Sequence, residues 1–330
     1  MHERAVFTPG ELIEEHYSSY DKMVESAKNW QQQCVFQFKP MALKGEHHIF
    51  QLSSMQLSYA KKTGGIMYTL VPPAHCITVS IICTCTEKGS FGSLPLHTGD
   101  IVIYDDTRTY NYFSSDYMEV CSISIDKAKF PALTQRFDTL KEQGIVCFRS
   151  NHEYFCSLFD SVVEKFPNHS KLDTDNLLAV ENEIVNTITT MMDRQESRRI
   201  ILSKGEKAVF DIVDKMYEQM DTRINIQTLA ERYDISTQTL QSNFKTLFGT
   251  TPKRFLQLLK LNLVHQELLS STPKEQTIMR IASKWGFSHM GNFGRYYTEL
   301  FGEKPSETLQ KGYYESGLHE ECVSRTEELC

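Results

Sequence analysis

The stretch LAERYDISTQTLQSNFKTLFGTTP at residues 229–252 decides the fold of the C-terminal third of the chain. It recurs in variant form as IASKWGFSHMGNFGRYYTELFGEKP at residues 281–305. Both copies open with a large aliphatic residue and an alanine, have a serine six residues after that alanine, and end in LFGxxP. Two copies of such a pattern in the same register indicate a duplicated structural unit.

Each copy has the pattern of a helix-turn-helix. A small side chain at Ala230 or Ala282 lets the second helix of a pair cross the first closely. Ser236 and Ser288 suit the N-terminal cap or the first turn of that second helix. The glycine of LFG suits its C-terminal cap, and the proline suits the first turn of a further helix. The sequence therefore predicts two helix-turn-helix motifs.

A long helix is predicted to connect the two motifs. Apolar residues recur at helical spacing through residues 252–269. About 18 residues at 1.5 Å each give a length of roughly 27 Å. A rigid connector of this size suits two recognition helices in successive major grooves, which lie about 34 Å apart.

The charge of the chain is unevenly distributed. Its formal net charge is −7, which by itself argues against binding to nucleic acid. Residues 224–312, however, hold eleven Lys or Arg and seven Asp or Glu. A mildly basic segment attached to an acidic remainder is compatible with DNA binding.

Residues 34–125 have the composition of a β-structure. Short β-branched and aromatic runs alternate with Gly, Pro, Asp and Ser, which predicts a β-sandwich or a small barrel. Residues 1–33, in which polar and apolar side chains are mixed from Glu11 to Gln33, are interpreted as partly helical. Beyond Pro131 the spacing becomes helical, and residues 174–193 form one helix with an apolar side. That side suits either pairing with its copy in a dimer or packing on the barrel.

The nine cysteines include no CxxC pair, and we interpret them as reduced and mostly buried. No run of about 18 apolar residues suggests a membrane span. The N-terminal residues lack the apolar core of a secretion signal. We therefore expect a cytoplasmic protein with no membrane partner.

At the duplicated motif the chain resembles the AraC/XylS family of bacterial transcription regulators. The resemblance covers about residues 206–310 and rests on the LA…S…L…FK…FG…P and IA…GF…F…Y…FG…P patterns. It implies an α+β protein, with an N-terminal cupin-like β-barrel with helices at residues 1–200 and a C-terminal all-α double helix-turn-helix domain at residues 201–312. Residues 313–330 are then an acidic, flexible tail. LHTGDIVIYDD at residues 96–106 is similar to the Gly-Asp turn and strand of such barrels.

The outward positions of the two recognition helices are candidate DNA contacts. These helices are predicted at about residues 237–246 and 289–299. Gln can pair with adenine in the major groove, whereas Lys and Arg suit phosphate or guanine. Arg295 matches an arginine that is common in the family, while Ser242 stands where the family often has Arg. The candidate DNA-binding residues are Gln238, Gln241, Ser242, Lys245, Met290, Asn292 and Arg295.

The second recognition helix departs from the family pattern. Tyr297 and Thr298 stand where the family usually has Phe and Lys. Gly291 and Gly294 should each lower the stability of this helix by about 1 kcal/mol relative to alanine. We therefore expect the second motif to bind less strongly, or to become ordered on DNA.

Three interpretations of the N-terminal domain stay open. It is a sensor with an aromatic pocket, a metal-dependent cupin enzyme, or a dimerisation module without a ligand. No His-x-His pair with a following Glu stands at cupin spacing, and adjacent histidines on a strand point to opposite faces. The candidate pocket residues are Tyr59, Tyr68, Tyr104, Tyr110, Tyr112 and Phe113, and the histidines available for a metal are His47, His48, His75 and His97.

The sequence thus predicts a ligand-responsive, DNA-binding transcription regulator without catalytic activity, cofactor or metal. The expected partners are double-stranded DNA, a small-molecule effector, a second copy of the chain in a homodimer, and RNA polymerase. The alternative is a cupin-type metal-dependent enzyme domain fused to a DNA-binding module.

Overall fold

The structure, a computed structural model, describes residues 7–18, 20–27, 29–40, 43–86, 89–92, 94–114, 116–140, 145–149, 153–166, 174–194, 203–218, 225–271 and 277–315. The chain divides into an N-terminal unit, residues 1–35 and 42–201, and a C-terminal unit, residues 36–41 and 202–330. The predicted acidic tail at 313–330 lies outside the described residues, except for its first three.

The N-terminal unit consists of strands and a few helices. Its strands are β1 (Leu12–Tyr17), β2 (Gln31–Gln37), β3 (Lys44–Gln51), β4 (Met55–Thr63), β5 (Ile66–Val71), β6 (Cys76–Cys85), β7 (Gly89–Phe91), β8 (Leu94–Leu96), β9 (Asp100–Asp105), β10 (Tyr110–Ser114), β11 (Met118–Asp126) and β12 (Ile145–Arg149). Its helices are α1 (Tyr20–Ser26), α2 (Pro131–Leu140), α3 (Glu153–Cys156), α4 (Leu158–Lys165) and α5 (Thr174–Arg194).

The strands form two sheets. One has the strand order β1-β3-β4-β11-β6-β9-β12 and the other the order β2-β5-β10-β7-β8. A barrel closes only when its first and last strands pair, and no such pairing occurs among the described strands. The prediction of antiparallel β-structure is confirmed, but the expected closed barrel is not found.

The seven-stranded sheet has a different core on each face, because side chains alternate along a strand. On β6, Ile77, Val79 and Ile81 point into a core shared with α2, α4 and α5. Ser80 and Ile82 point to the opposite face and line a cavity. The alternation therefore places an apolar core between the sheet and the helices, and a cavity on the opposite face of the sheet.

Helix α5 packs on its own sheet. Leu177, Ile184 and Ile188 are buried in the core with β-strand residues. The buried carboxylate of Glu181 accepts a hydrogen bond from the backbone N–H of Ser54 at 2.6 Å. Leu177, Ile184 and Ile188 of this helix therefore pack on the sheet, and its pairing with a copy in a dimer stays a prediction.

One sequence-based interpretation of the N-terminal unit is confirmed and another is wrong. The described part of residues 1–33 is partly helical, as predicted, since it holds the helix α1, but it also holds the strand β1 and the start of β2, because β1 pairs with β3 from Leu12 opposite Phe50 onward. Long-range pairing overrides local preference here. The cysteines are not all reduced, since Cys83 and Cys156 form a disulfide with their Cα atoms 5.6 Å apart.

The described residues of the C-terminal unit form helices and their connections, apart from residues 36–40, the first two of which are the end of β2. None of the helices in the described ranges is both long enough and apolar enough to cross a membrane. The helices are α6 (Lys204–Glu218), α7 (Ile226–Arg232), α8 (Thr237–Phe248), α9 (Pro252–Leu269), α10 (Ile278–Lys284), α11 (Met290–Phe301) and α12 (Pro305–Glu315).

The predicted caps explain where the helices of the first motif begin and end. Ser236 caps α8 by accepting a hydrogen bond from the backbone N–H of Thr239 at 3.0 Å. Gly249 ends α8 in the left-handed region with a φ of 69°, a conformation that costs glycine little. Thr251 then caps α9, which has Pro252 in its first turn. The two motifs, α7–α8 and α10–α11, and the connecting helix α9 are confirmed.

The second motif begins its recognition helix differently. Gly302 ends α11 with a φ of 73°, as predicted. The N-terminal cap of α11 is His289 rather than Ser288, and the His289 side chain makes no capping hydrogen bond. The expected role of Ser288 is therefore wrong, because the helix starts one residue later than in the first motif.

Candidate nucleic-acid interface and ligand cavity

Helix α8 presents a polar face to solvent. Leu240 and Phe244 are fully buried, and this anchors one side of the helix in the core. The candidate contacts on the other side, which are all exposed, are Gln238, Gln241, Ser242 and Lys245. This arrangement leaves amide and ammonium groups free to meet base edges and phosphates.

Helix α11 is arranged similarly around Phe293 and Tyr297, which are buried. Asn292 and Arg295 are exposed. Met290 is only half-exposed, because it packs against the core of the second motif. Six of the seven candidate residues are therefore exposed, and Met290 is partly exposed.

A pair of arginines flanks the ring of Tyr296. The guanidinium carbon of Arg295 lies 5.0 Å from the ring centroid, and that of Arg254 in α9 lies 5.5 Å from it. The Arg295 Nε atom is 3.8 Å from a carboxylate oxygen of Glu299, a loose contact between exposed groups. Arg254 was not among the sequence candidates, since it lies in the connecting helix and only the fold brings it beside α11.

The tyrosine that replaces the usual phenylalanine in α11 connects three helices. The Nδ1 atom of His265 in α9 lies 2.7 Å from the hydroxyl of Tyr297, which donates to the Thr308 hydroxyl in α12 at 2.8 Å. Thr308 in turn donates to Glu303 at 2.6 Å. Burial raises the pKa of Tyr297, so its hydroxyl keeps the proton that it donates. These bonds fix α11 relative to α9 and α12.

Two glycines in α11 give a direct test of the second recognition helix. An added Cβ at Gly291 or Gly294 meets no atom within 4 Å. Replacing each by alanine should therefore raise the free energy of unfolding of the C-terminal unit by about 1 kcal/mol. Unfolding in guanidinium, followed by Trp285 fluorescence in a Trp30→Phe background, isolates this unit, because the chain has only two tryptophans.

The control for these variants is Gly302→Ala. Its Cβ also has open space, but its φ of 73° strains any other residue, so it should lower stability by about 1 kcal/mol. Equal effects of alanine at all three glycines would contradict the assignment of α11.

The N-terminal unit encloses a cavity of about 670 Å³, counting the part that opens to solvent. Three of the predicted aromatic residues line it: Tyr68, Tyr104 and Tyr112. The other three do not. Tyr59 packs near Phe159 in the core beneath the helices, while Tyr110 and Phe113 are buried outside the lining.

The cavity also contains a buried lysine that sequence reasoning missed. Lys62 is only 7% exposed, whereas its neighbour Lys61 is half-exposed and paired with Glu46. Lys62 donates a hydrogen bond to the hydroxyl of Tyr68 and lies 4.6 Å from the ring centroid of Tyr112. Alternation along β4 is the only signal in the sequence that separates these two lysines, and it does not reveal a cavity.

The histidines do not form a metal site in the part of the chain that the structure describes. His47 lines the cavity, and its Nδ1 atom lies 3.3 Å from the hydroxyl of Ser26. His48 faces the other side of the sheet, 6.1 Å from the ring of Phe159. His75 and His97 interact instead with Asp106 and Asp100.

The duplicated motif on a connecting helix places the C-terminal unit in the class of double helix-turn-helix domains. A family model described as a helix-turn-helix domain matches residues 229–311. The chain is 34% identical over 106 residues to XylDLEGF operon transcriptional activator 2 of Pseudomonas putida, covering 32% of this chain and 68% of that protein. It is 32% identical over 98 residues to the probable thc operon regulatory protein of Rhodococcus erythropolis, covering 30% of each chain.

Among solved structures, the chain is 33% identical to a probable AraC family transcriptional regulator from Rhodopseudomonas palustris, with a TM-score of 0.31. The match covers 32% of this chain and 97% of that one. The chain belongs to the AraC/XylS family of transcription regulators. It spans about 30–40% of the length of the first curated relatives that it matches.

Proposed function

We propose that this protein is a transcription regulator that binds specific double-stranded DNA through α8 and α11 and responds to a small molecule held in its N-terminal unit. The observation that supports this most directly is the duplication. Two helices of the same length, each anchored by buried aromatic residues, expose polar side chains suited to base and phosphate contacts.

The connecting helix supports simultaneous binding by both motifs. The 18 residues of α9 span roughly 27 Å, close to the distance of about 34 Å between successive major grooves. Its apolar residues pack into the cores of both motifs, which makes it a rigid spacer. One chain can therefore cover two adjacent grooves.

Arg295→Ala tests the assignment of α11. Loss of the guanidinium should weaken operator binding by about 1–3 kcal/mol, or roughly 5- to 150-fold, while the fold stays intact. Fluorescence anisotropy with an operator selected from random duplexes measures the change. Lys165→Ala, which removes one exposed cation in the N-terminal unit, is the matched control and should leave affinity unchanged.

An unchanged affinity in Arg295→Ala would show that α11 is not placed against DNA at this residue. A loss of similar size in Lys165→Ala would show instead that the measured effect reports overall charge.

The remaining parts of the proposal concern partners and location. The cavity beside Lys62 supports a small-molecule effector, since concave sites with aromatic walls and a few polar groups are typical of ligand binding. A cytoplasmic location follows from action on bacterial DNA. A homodimer and contact with RNA polymerase are supported by the family resemblance, and the absence of catalysis is supported by the regulators among its relatives.

A further inference from the structure

The cavity of the N-terminal unit holds a buried cation without a partner of opposite charge. Lys62 makes no ion pair with any carboxylate in the described ranges. An ammonium group has three N–H donors, and the hydrogen bond to Tyr68 uses one of them. A buried charge is costly unless it is paired, so this arrangement favours an anion supplied from outside the unit.

A second polar group in the same lining also lacks a partner. The indole N–H of Trp30 is buried and donates to no acceptor among the described residues. Buried donors are normally satisfied, because leaving one unpaired costs about 1–3 kcal/mol. Lys62 and Trp30 thus line the same cavity, and each has an N–H donor that lacks an acceptor among the described residues.

The rest of the lining is suited to an apolar molecular body. The rings of Tyr68 and Tyr112 lie 4.9 Å apart at one wall, and Phe91 contributes another aromatic face. The Ser80 hydroxyl already bonds to the hydroxyls of Tyr104 and Ser122, each at 2.8 Å. Because these hydroxyl groups already form hydrogen bonds with one another, they do not require the ligand as a hydrogen-bond partner.

We infer that this cavity binds a small monocarboxylic acid as its anion, with the carboxylate paired with Lys62 and the apolar body held between aromatic side chains. This inference rests on the proposed role of the N-terminal unit as a ligand sensor. It adds the chemical class of the effector, which needs one negative charge and an aromatic or aliphatic body.

The electrostatics of the cavity give the inference a distinctive signature. Burial lowers the pKa of Lys62 to about 7, so a large part of the population is neutral when the cavity is empty. A bound carboxylate favours the ammonium form and raises this pKa, so binding at pH 8 should take up about one proton. The other titratable side chains of the lining do not change charge near neutral pH. Burial raises the pKa of Tyr17, Tyr68, Tyr104 and Tyr112, and it lowers that of His47 to about 3.

Isothermal titration calorimetry on the full chain tests this inference without DNA. The probes are phenylacetate and octanoate, each compared with its neutral primary amide. Because a hydrogen-bonded charge pair is lost in the amide, we expect the acid to bind about 10- to 100-fold more tightly. Titrations at pH 8 in buffers of different ionisation enthalpy should show uptake of about one proton.

Lys62→Met should abolish both the preference for the acid and the proton uptake. This variant should fold, since it replaces a buried cation by an apolar side chain of similar length, and circular dichroism checks that it does. Lys61→Met is the matched control, because Lys61 is a half-exposed neighbour outside the lining, and it should keep both properties.

Equal affinity for acid and amide, a preference that survives in Lys62→Met, or no binding of either acid would each overturn the inference. A failure of the proposed DNA-binding function is detected by a separate measurement of operator binding. Operator binding is measured without any acid, and Arg295→Ala should bind the acids as well as the unmodified protein does.

Discussion

Phe255→Ala should lower the free energy of unfolding of the C-terminal unit by about 3–5 kcal/mol, the cost typical of removing a buried aromatic ring. Phe255 is fully buried in α9. Its ring centroid lies 4.8 Å from that of Phe38, 5.6 Å from that of Phe244 and 5.0 Å from that of Phe248. A single ring therefore holds together the connecting helix, the first recognition helix and the segment Phe36–Met41.

Guanidinium unfolding followed by Trp285 fluorescence, in the Trp30→Phe background, measures this loss. Phe255→Leu is the control, because it keeps most of the apolar volume and should cost clearly less. Operator affinity should fall along with stability, since α8 loses its support. A loss below about 1 kcal/mol in Phe255→Ala would show that α9 is not the shared core of this unit.

Operator affinity should fall about 10²–10³-fold when the salt concentration rises from 50 to 200 mM. This range corresponds to roughly four to six phosphate contacts, each of which releases counterions. The number is bounded by the exposed cations of the C-terminal unit. Within its described residues, those without a carboxylate partner are Lys207, Arg232, Lys245, Lys253, Arg280 and Lys304, and Arg295 has only the loose contact with Glu299.

Anisotropy titrations at a series of salt concentrations give this slope directly. Lys245→Ala should make the slope shallower by about one unit, because it removes one phosphate contact. The Lys165→Ala control should leave the slope unchanged. A flat salt response in the unmodified protein would exclude duplex DNA as the main partner.

The C-terminal fold could be predicted from the sequence because its signals are local. Ser236 and Gly249 act on the backbone next to them, and the buried positions of α8 follow helical spacing. The prediction failed at Ser288, where a shift of one residue gives the cap position to His289. A sequence repeat predicts which helices exist more reliably than it predicts the first residue of each helix.

The parts that could not be predicted depend on distant contacts. The backbone N–H of Gln37 donates to the Asn262 side chain at 2.6 Å across a separation of 225 residues, and this places Phe36–Met41 in the C-terminal unit. No local sequence pattern predicts such a contact. The cavity position of Lys62 also depends on distant contacts, because the cavity forms only where the two sheets meet. Whether the sheets close into a barrel likewise depends on distant contacts, those between their outer strands.

The proposed function depends most on the placement of α8 and α11 in a major groove each. Missing-base interference on a selected operator tests it directly, with the unmodified protein, Gln238→Ala/Gln241→Ala and Arg295→Ala. We expect two groups of required bases about 10 base pairs apart, the spacing of successive major grooves. The α8 variant should lose one group only, and the α11 variant only the other. A single group of required bases, or variants that weaken both groups equally, would contradict this placement.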